Sequence, residues 1–164
     1  MTQNRNVDAH VVHDSNKINK TTKIKRKVQV WIYCSNFSIG STIQFLLLKT
    51  NSIRGGFWQP VTGKVNENEP LIQAALREAK EETGFKFKND PLFLNYEFTY
   101  EKENQIFQES VFCLEVDKIE KPVLDSQEHV DSKWSSGAEA MNLLKYDSNK
   151  RGLACFLRKQ LQGR

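Results

Sequence analysis

Between Gly63 and Phe85 the chain reads GKVNENEPLIQAALREAKEETGF, and its spacing is restrictive: a glycine, five residues, Glu69, seven residues, then Arg77-Glu78-Ala79-x-Glu81-Glu82-x-Gly84-Phe85. Pro70 to Thr83 favours helix, with proline suited to the first turn and Gly84 placed where a left-handed cap ends a helix. Ile72, Ala75, Leu76 and Ala79 recur at i, i+3, i+4 and i+7, which predicts one buried stripe. Glu78, Glu81 and Glu82 are neighbours at helical spacing and are expected to share a different face. Three carboxylates held that close repel one another unless a cation sits among them. Oxygen ligands of this hardness suit Mg²⁺ or Mn²⁺, which take carboxylates together with substrate phosphates. The plainer reading is a solvated acidic face paired with Arg77 and Lys80. Against it stand Gly63, Glu69 and Gly84, fixed at long spacings around the acidic run.

The other elements follow from periodicity. Val28 to Cys34 and Phe45 to Lys49 read as strands, and a Gly55-Gly56 turn precedes extended chain from Phe57 to Val65. Leu92 to Tyr100 and Gln105 to Val116 alternate apolar and polar residues around Glu103 and Asn104, which predicts a hairpin. Val130 to Trp134 reads as a short strand. Gly137 to Lys145 and Asn149 to Leu161 read as helices, the second burying Leu153, Phe156, Leu157 and Leu161. This order fits an α/β fold, an α/β/α sandwich, in one domain over residues 23–164.

Charge separates that domain from the residues before it. The chain has 24 Lys and Arg against 20 Asp and Glu, but seven basic and two acidic residues fall within residues 1–27. The remainder is nearly neutral, so a specific nucleic-acid partner is not expected. Residues 1–22 are polar and basic with few large apolar groups, the composition of a disordered tail. His10 and His13 within it make a weak metal pair. No apolar segment has the length of a signal core or a membrane span. Cys34, Cys113 and Cys155 lie far apart without metal spacing, which points to a reducing, cytoplasmic setting. Cys34 and Cys113 fall within strand-like runs, where cysteine acts as a small buried hydrophobe.

The segment from Gly63 to Phe85 fills every fixed position of the Nudix box. Together with Phe57-Trp58-Gln59-Pro60-Val61-Thr62-Gly63 and the later Glu128-His129-Val130-Asp131-Ser132-Lys133-Trp134, it resembles the Nudix hydrolases. The branch it looks like is the dihydroneopterin triphosphate pyrophosphatases, also described as dATP pyrophosphohydrolases. The resemblance implies a mixed sheet and Mg²⁺-dependent (or Mn²⁺-dependent) cleavage of a nucleotide or pterin triphosphate to monophosphate and pyrophosphate. It also implies roles: Glu78, Glu82 and Glu128 as metal ligands with the Gly63 carbonyl, and Glu81 or Glu128 as base. Arg77 and Glu69 would hold those ligands in place, while Lys25, or Arg26 beside it, and Thr62 would contact substrate. A basic residue expected after the second strand is here Thr50, with Lys49 beside it, which leaves the substrate open. Trp58, Phe57, Tyr100 and Phe107 could stack a ring, although most strand aromatics fill the core. Tyr100, fifteen residues past the box, is where dinucleoside polyphosphate hydrolases carry a tyrosine, so an Ap4A-type substrate is the first alternative. No proline stands there, which counts against ADP-ribose. A non-catalytic Nudix ligand-binding module is a third reading, opposed by the intact box.

Overall fold

The computed structural model describes residues 23–35 and 42–162, so the expected N-terminal tail, with His10 and His13, lies outside the described residues. Seven strands and three helices follow in the order β1 (Lys25–Cys34), β2 (Gln44–Thr50), β3 (Trp58–Gln59), β4 (Val61–Lys64), α1 (Leu71–Thr83), β5 (Leu92–Lys102), β6 (Gln105–Glu115), β7 (His129–Ser136), α2 (Gly137–Leu143) and α3 (Asp147–Gln162). The sheet runs β3-β2-β1-β6-β5, with β4 on β1 and β7 on β2. It is mixed, because β1 and β6 pair in parallel while the other pairs are antiparallel.

β1 is the axis of the molecule. Both its faces are covered, which explains its nearly unbroken apolar run. Val28, Val30 and Ile32 meet Ala74, Ala75 and Ala79 of α1, whereas Trp31 joins Phe45, Val111, Leu153 and Phe156 under α2 and α3. The result is three layers, as the element order implies. One edge of β1 is shared: Lys27 to Val30 pairs with β4, and Tyr33 and Cys34 pair with β2. The sheet therefore splays where β4 begins, and Glu78 of α1 lies against Gly63 farther along that strand.

Local chemistry accounts for most boundaries. Pro60 cannot donate to a ladder and divides the extended chain of Phe57 to Val65 into β3 and β4. Glu103 and Asn104 have φ of 52° and 58°, the two-residue turn whose twist matches a hairpin. The alternation expected in β5 is broken between Phe93 and Glu97 by a bulge, with Asn95 at φ 55°. Gly84 ends α1 at φ 70° with its N–H on the Lys80 carbonyl, and Pro70 is the N-cap rather than the first helical residue. Ser136 and Glu139 cap α2 reciprocally.

Two burial expectations are corrected. Ile72 is 42% exposed, because α1 contacts the sheet through Ala74, Ala75 and Ala79. Leu161 is 76% exposed, since α3 buries no residue after Phe156. Cys34 and Cys113 are buried and all three cysteines are free. Among the described residues no helix is long and apolar enough to cross a membrane.

Candidate active site

The three glutamates of α1 are neighbours as the spacing predicted, and the rotation of the helix gives them different exposures. Glu82 stands three residues after Ala79 on the buried stripe and is 5% exposed. Glu78 is partly buried, and Glu81 points outward with 59% of its side chain exposed. Glu128, at the start of β7, comes up beside Glu82 from another part of the chain. Its charge and that of Glu78 add to burial in pushing the Glu82 carboxyl up to about 9. Glu78 is also pushed up, chiefly by burial.

This trio fits a divalent cation. Glu82 Oε2 is buried without a hydrogen-bond partner, and so are both ring nitrogens of His129, whose Nε2 lies 3.7 Å from it. Burial lowers the His129 imidazole, so the ring is neutral and gives no counter-charge. An unmet buried carboxylate facing two others has the hardness, charge and open coordination that Mg²⁺ or Mn²⁺ requires. Among the described residues no three ligating side chains are yet closed into a cage. Glu78 is paired instead with Arg77 at 2.7 Å, and Glu128 with Arg54 at 3.0 Å.

Arg77 is the hub on the outer side. Its Nε and Nη2 donate to the two oxygens of Glu69 at 2.8 and 2.9 Å, its Nη1 to Glu78 and Glu81 at 2.7 and 3.2 Å, and its Nη2 also to the Lys64 carbonyl at 2.8 Å. Glu69 in turn accepts the Asn66 N–H, and the Arg77 fork holds its carboxyl down to about 2. Three of its five hydrogen bonds tie α1 back to Glu69 and Lys64, a planar fork that a lysine cannot reproduce. Arg77→Lys is expected to lower turnover about 10- to 100-fold while removing no carboxylate. Steady-state kinetics beside a metal titration will separate lost positioning from lost metal.

Gly63 is required by close approach. A Cβ there would run into the carboxyl and Cγ of Glu78, so only glycine lets that side chain lie across β4.

The charges also set a pH dependence. Glu82 goes from 4.5 in the unfolded chain to about 9 in the fold, so the folded state holds the extra proton between those values. Stability of the metal-free protein is therefore expected to fall as pH rises from about 4.5 to about 9. Glu69 has the opposite sign: its contribution is present above 4.5 and lost as pH falls toward about 2. Thermal melts across this range should show the alkaline loss in EDTA and its reversal by Mg²⁺. A flat alkaline limb in EDTA would contradict the assignment.

On the opposite face of β4, next to Gly63, Thr62 lines a cavity of about 420 Å³. Lys25 is exposed and lies over the Phe107 ring at 5.8 Å, and Arg26 reaches the Glu69 carbonyl at 3.4 Å. Lys27, two residues along on the Lys25 face, lines the cavity instead, and its charge acts on Glu82. Thr50 is buried, bonding Phe57 through its hydroxyl, and Lys49 lies over Trp58. Arg54, in the turn after β2, brings a cation to the site through Glu128. Sequence reading missed Lys27, Arg54 and the buried Glu109. A charged residue in mid-strand is the one signal that could have flagged Glu109.

Comparison with known proteins agrees with this geometry. The NUDIX domain model matches residues 25–156. Dihydroneopterin triphosphate diphosphatase of Escherichia coli is 33% identical over 115 residues, 62% of this chain and 75% of the relative. The asymmetrical bis(5'-nucleosyl)-tetraphosphatase of Mus musculus is 31% identical over 121 residues, 69% of this chain and 78% of the relative. A match 45% identical over 47 residues spans only 13% of an octanoyltransferase from Myxococcus xanthus, too short a share to carry that activity across. The crystal structure of a C. elegans Ap4A hydrolase binary complex superposes with a TM-score of 0.71 at 25% identity, covering 86% of this chain and 100% of that one. The E. coli dihydroneopterin triphosphate pyrophosphohydrolase gives 0.70 at 26% identity, covering 83% and 98%. With the family match running from β1 to Phe156 on α3, the chain belongs to the NUDIX domain family, as a hydrolase acting on phosphoanhydride bonds.

Proposed function

We propose that this chain is a Mg²⁺-dependent pyrophosphohydrolase that cleaves a nucleoside triphosphate or dihydroneopterin triphosphate to the monophosphate and pyrophosphate. The carrying observation is the trio Glu78, Glu82 and Glu128 gathered on one side of β4, with a cavity holding Lys27 and Thr62 on the other. A ring seated in that cavity sends its phosphates across the unpaired edge of β4 toward the carboxylates.

Within this reading Glu78, Glu82 and Glu128 hold the metal with the Gly63 carbonyl. When bound, the metal offsets the charge gathered as water attacks phosphorus and orients the attacking and leaving oxygens. Lys27 and Thr62 orient the phosphate chain from the cavity side. Glu128 is the trio member supplied by a separate loop, and its side chain is 35% exposed. Once Arg54 turns from it to phosphate, Glu128 can accept the proton of the attacking water. Glu81 is one bond from the trio through Arg77 and joins only by leaving it. Arg77 and Glu69 fix the rotamer of Glu78. The domain is residues 23–164, with residues 1–22 outside the catalytic unit.

A second reading is asymmetric cleavage of a dinucleoside polyphosphate. It is favoured by Tyr100, which lines the cavity beside Phe57, Phe98 and Tyr146 and stacks on Phe107 at 5.2 Å. The likeness to the mouse and C. elegans proteins points the same way. Pyrophosphate and nucleotide products should be measured with Mg²⁺ on dihydroneopterin triphosphate, each NTP and dNTP, Ap4A and ADP-ribose. Pyrophosphate from a triphosphate supports the first reading. ATP released from Ap4A as the preferred reaction replaces it with the second.

A further inference from the structure

The cavity contains a carboxyl group that phosphate chemistry does not require. Glu109, in mid-β6 opposite Lys27 of β1, lines the cavity yet is only 4% exposed. A buried carboxylate can accept about four hydrogen bonds and normally takes short, charge-assisted ones of about 2.7–2.9 Å. Glu109 has long ones. Gln29 Nε2 donates to Oε1 at 3.2 Å, the Tyr100 hydroxyl donates to Oε2 at 3.4 Å, and Lys27 Nζ stands 3.8 Å from Oε2. Gln29 is itself committed, accepting the Trp31 indole N–H at 2.9 Å, so it cannot swing closer. Both oxygens thus have a partner, but only a distant one; burial pushes the carboxyl up while Lys27 beside it favours the ionised form, and a demand for a closer donor remains.

The walls define the shape of what would meet that demand. Phe98 and Tyr100 stack 6.1 Å apart, Phe57 and Tyr146 pack edge to face at 5.1 Å, and all four line the cavity. Aromatic walls around a space of about 420 Å³ accept a planar heterocycle. A carboxylate among them selects by donor pattern. Guanine and pterins present a ring N–H beside an exocyclic amino group, two parallel donors that match both carboxylate oxygens. Hypoxanthine presents one such donor, and adenine presents an amino group beside a lone pair that the carboxylate repels.

We infer that Glu109 is a specificity-determining residue that reads the paired N–H and NH₂ edge of a 2-amino-4-oxopyrimidine ring, so that guanine or pterin is preferred to adenine. The inference rests on the proposed function for placing the substrate ring in this cavity, but ring preference can be measured without turnover. GMP and IMP differ only by the 2-amino group, AMP differs from IMP at N1 and C6, and as monophosphates all three are products of the proposed cleavage. Calorimetric titration of the full chain with each, in Mg²⁺, should show GMP bound about tenfold more tightly than IMP and more tightly still than AMP. Glu109→Gln should flatten the series, and Tyr100→Phe should keep it.

AMP binding as tightly as GMP, or no measurable binding of any of the three, overturns the inference. Equal weakening of all three by Glu109→Gln also overturns it, because the carboxylate would then serve only to hold Lys27. Should that variant not fold, the wild-type ranking still decides. Pyrophosphate release without the ranking removes this inference and leaves the proposed function. The ranking without any triphosphate cleavage does the reverse.

Discussion

Replacing Glu82 by Gln is expected to lower metal-dependent hydrolysis on the order of a thousandfold and, at the same time, to raise the melting temperature of the metal-free protein. The first effect follows from the proposed role. A ligand that secures the cation is asked for several kcal/mol of transition-state stabilisation, and each 1.36 kcal/mol is about tenfold in rate. The second follows from burial alone. Glu82 is 5% exposed and its carboxyl is pushed up to about 9, so folding near neutral pH must take a proton or bury a charge. Glutamine keeps the shape, removes that cost, and can donate to the neutral His129 ring, whose nitrogens lack partners. A gain of about 1 kcal/mol or more, a few degrees in melting temperature, is the expected size. The two readouts must move in opposite directions. Added Mg²⁺ should stabilise the wild-type chain strongly and the variant little; equal stabilisation of both would remove Glu82 from the metal site.

Gly63→Ala is expected to cost about a hundredfold in activity with little change in stability. The backbone at Gly63 is ordinary extended strand, absent from the positive-φ positions, so alanine introduces no conformational strain. The new methyl would collide with the end of the Glu78 side chain, which can rotate away. Folding is thereby spared. Rotation removes Glu78 from Arg77 and from the other two carboxylates, and a displacement of about 1 Å at a reacting centre can cost about 10²-fold. Chemical denaturation together with Mn²⁺ binding tests the separation. A stability loss above about 2 kcal/mol with metal affinity intact would mean that Gly63 serves packing alone.

The arginines give these results a common frame. Arg77 holds Glu78, and Arg54 holds Glu128, each from outside the trio. Both guanidiniums stand where cations must be when the carboxylates are ionised and unshared. Under the proposed function, a bound metal and the substrate phosphates would supply that compensation from inside, leaving Arg54 free to meet phosphate.

Sequence alone determined the hydrolase family, the helix that carries its glutamates and the order of layers, because these depend on local spacing. The run from Gly63 to Phe85 carries a fixed spacing of glycine, arginine and glutamates, and strand and helix periods depend on neighbours two to four residues away. The hairpin at Glu103 and Asn104 and the cap at Gly84 were legible for the same reason, since turn chemistry is written in adjacent residues. Tertiary structure alone decided which carboxylates face inward. Helical spacing placed Glu78, Glu81 and Glu82 together, but the side of α1 that met β1 was chosen by three small alanines, which rotated Glu82 into the core and left Glu81 in solvent. The same holds for the cavity. Lys27 and Glu109 are 82 residues apart in sequence and meet only because β1 and β6 pair in parallel; Arg54 and Glu128 meet only because the β2 turn closes on the loop before β7. Charge compensation between distant strands is a property of packing, and no local pattern in the chain records it.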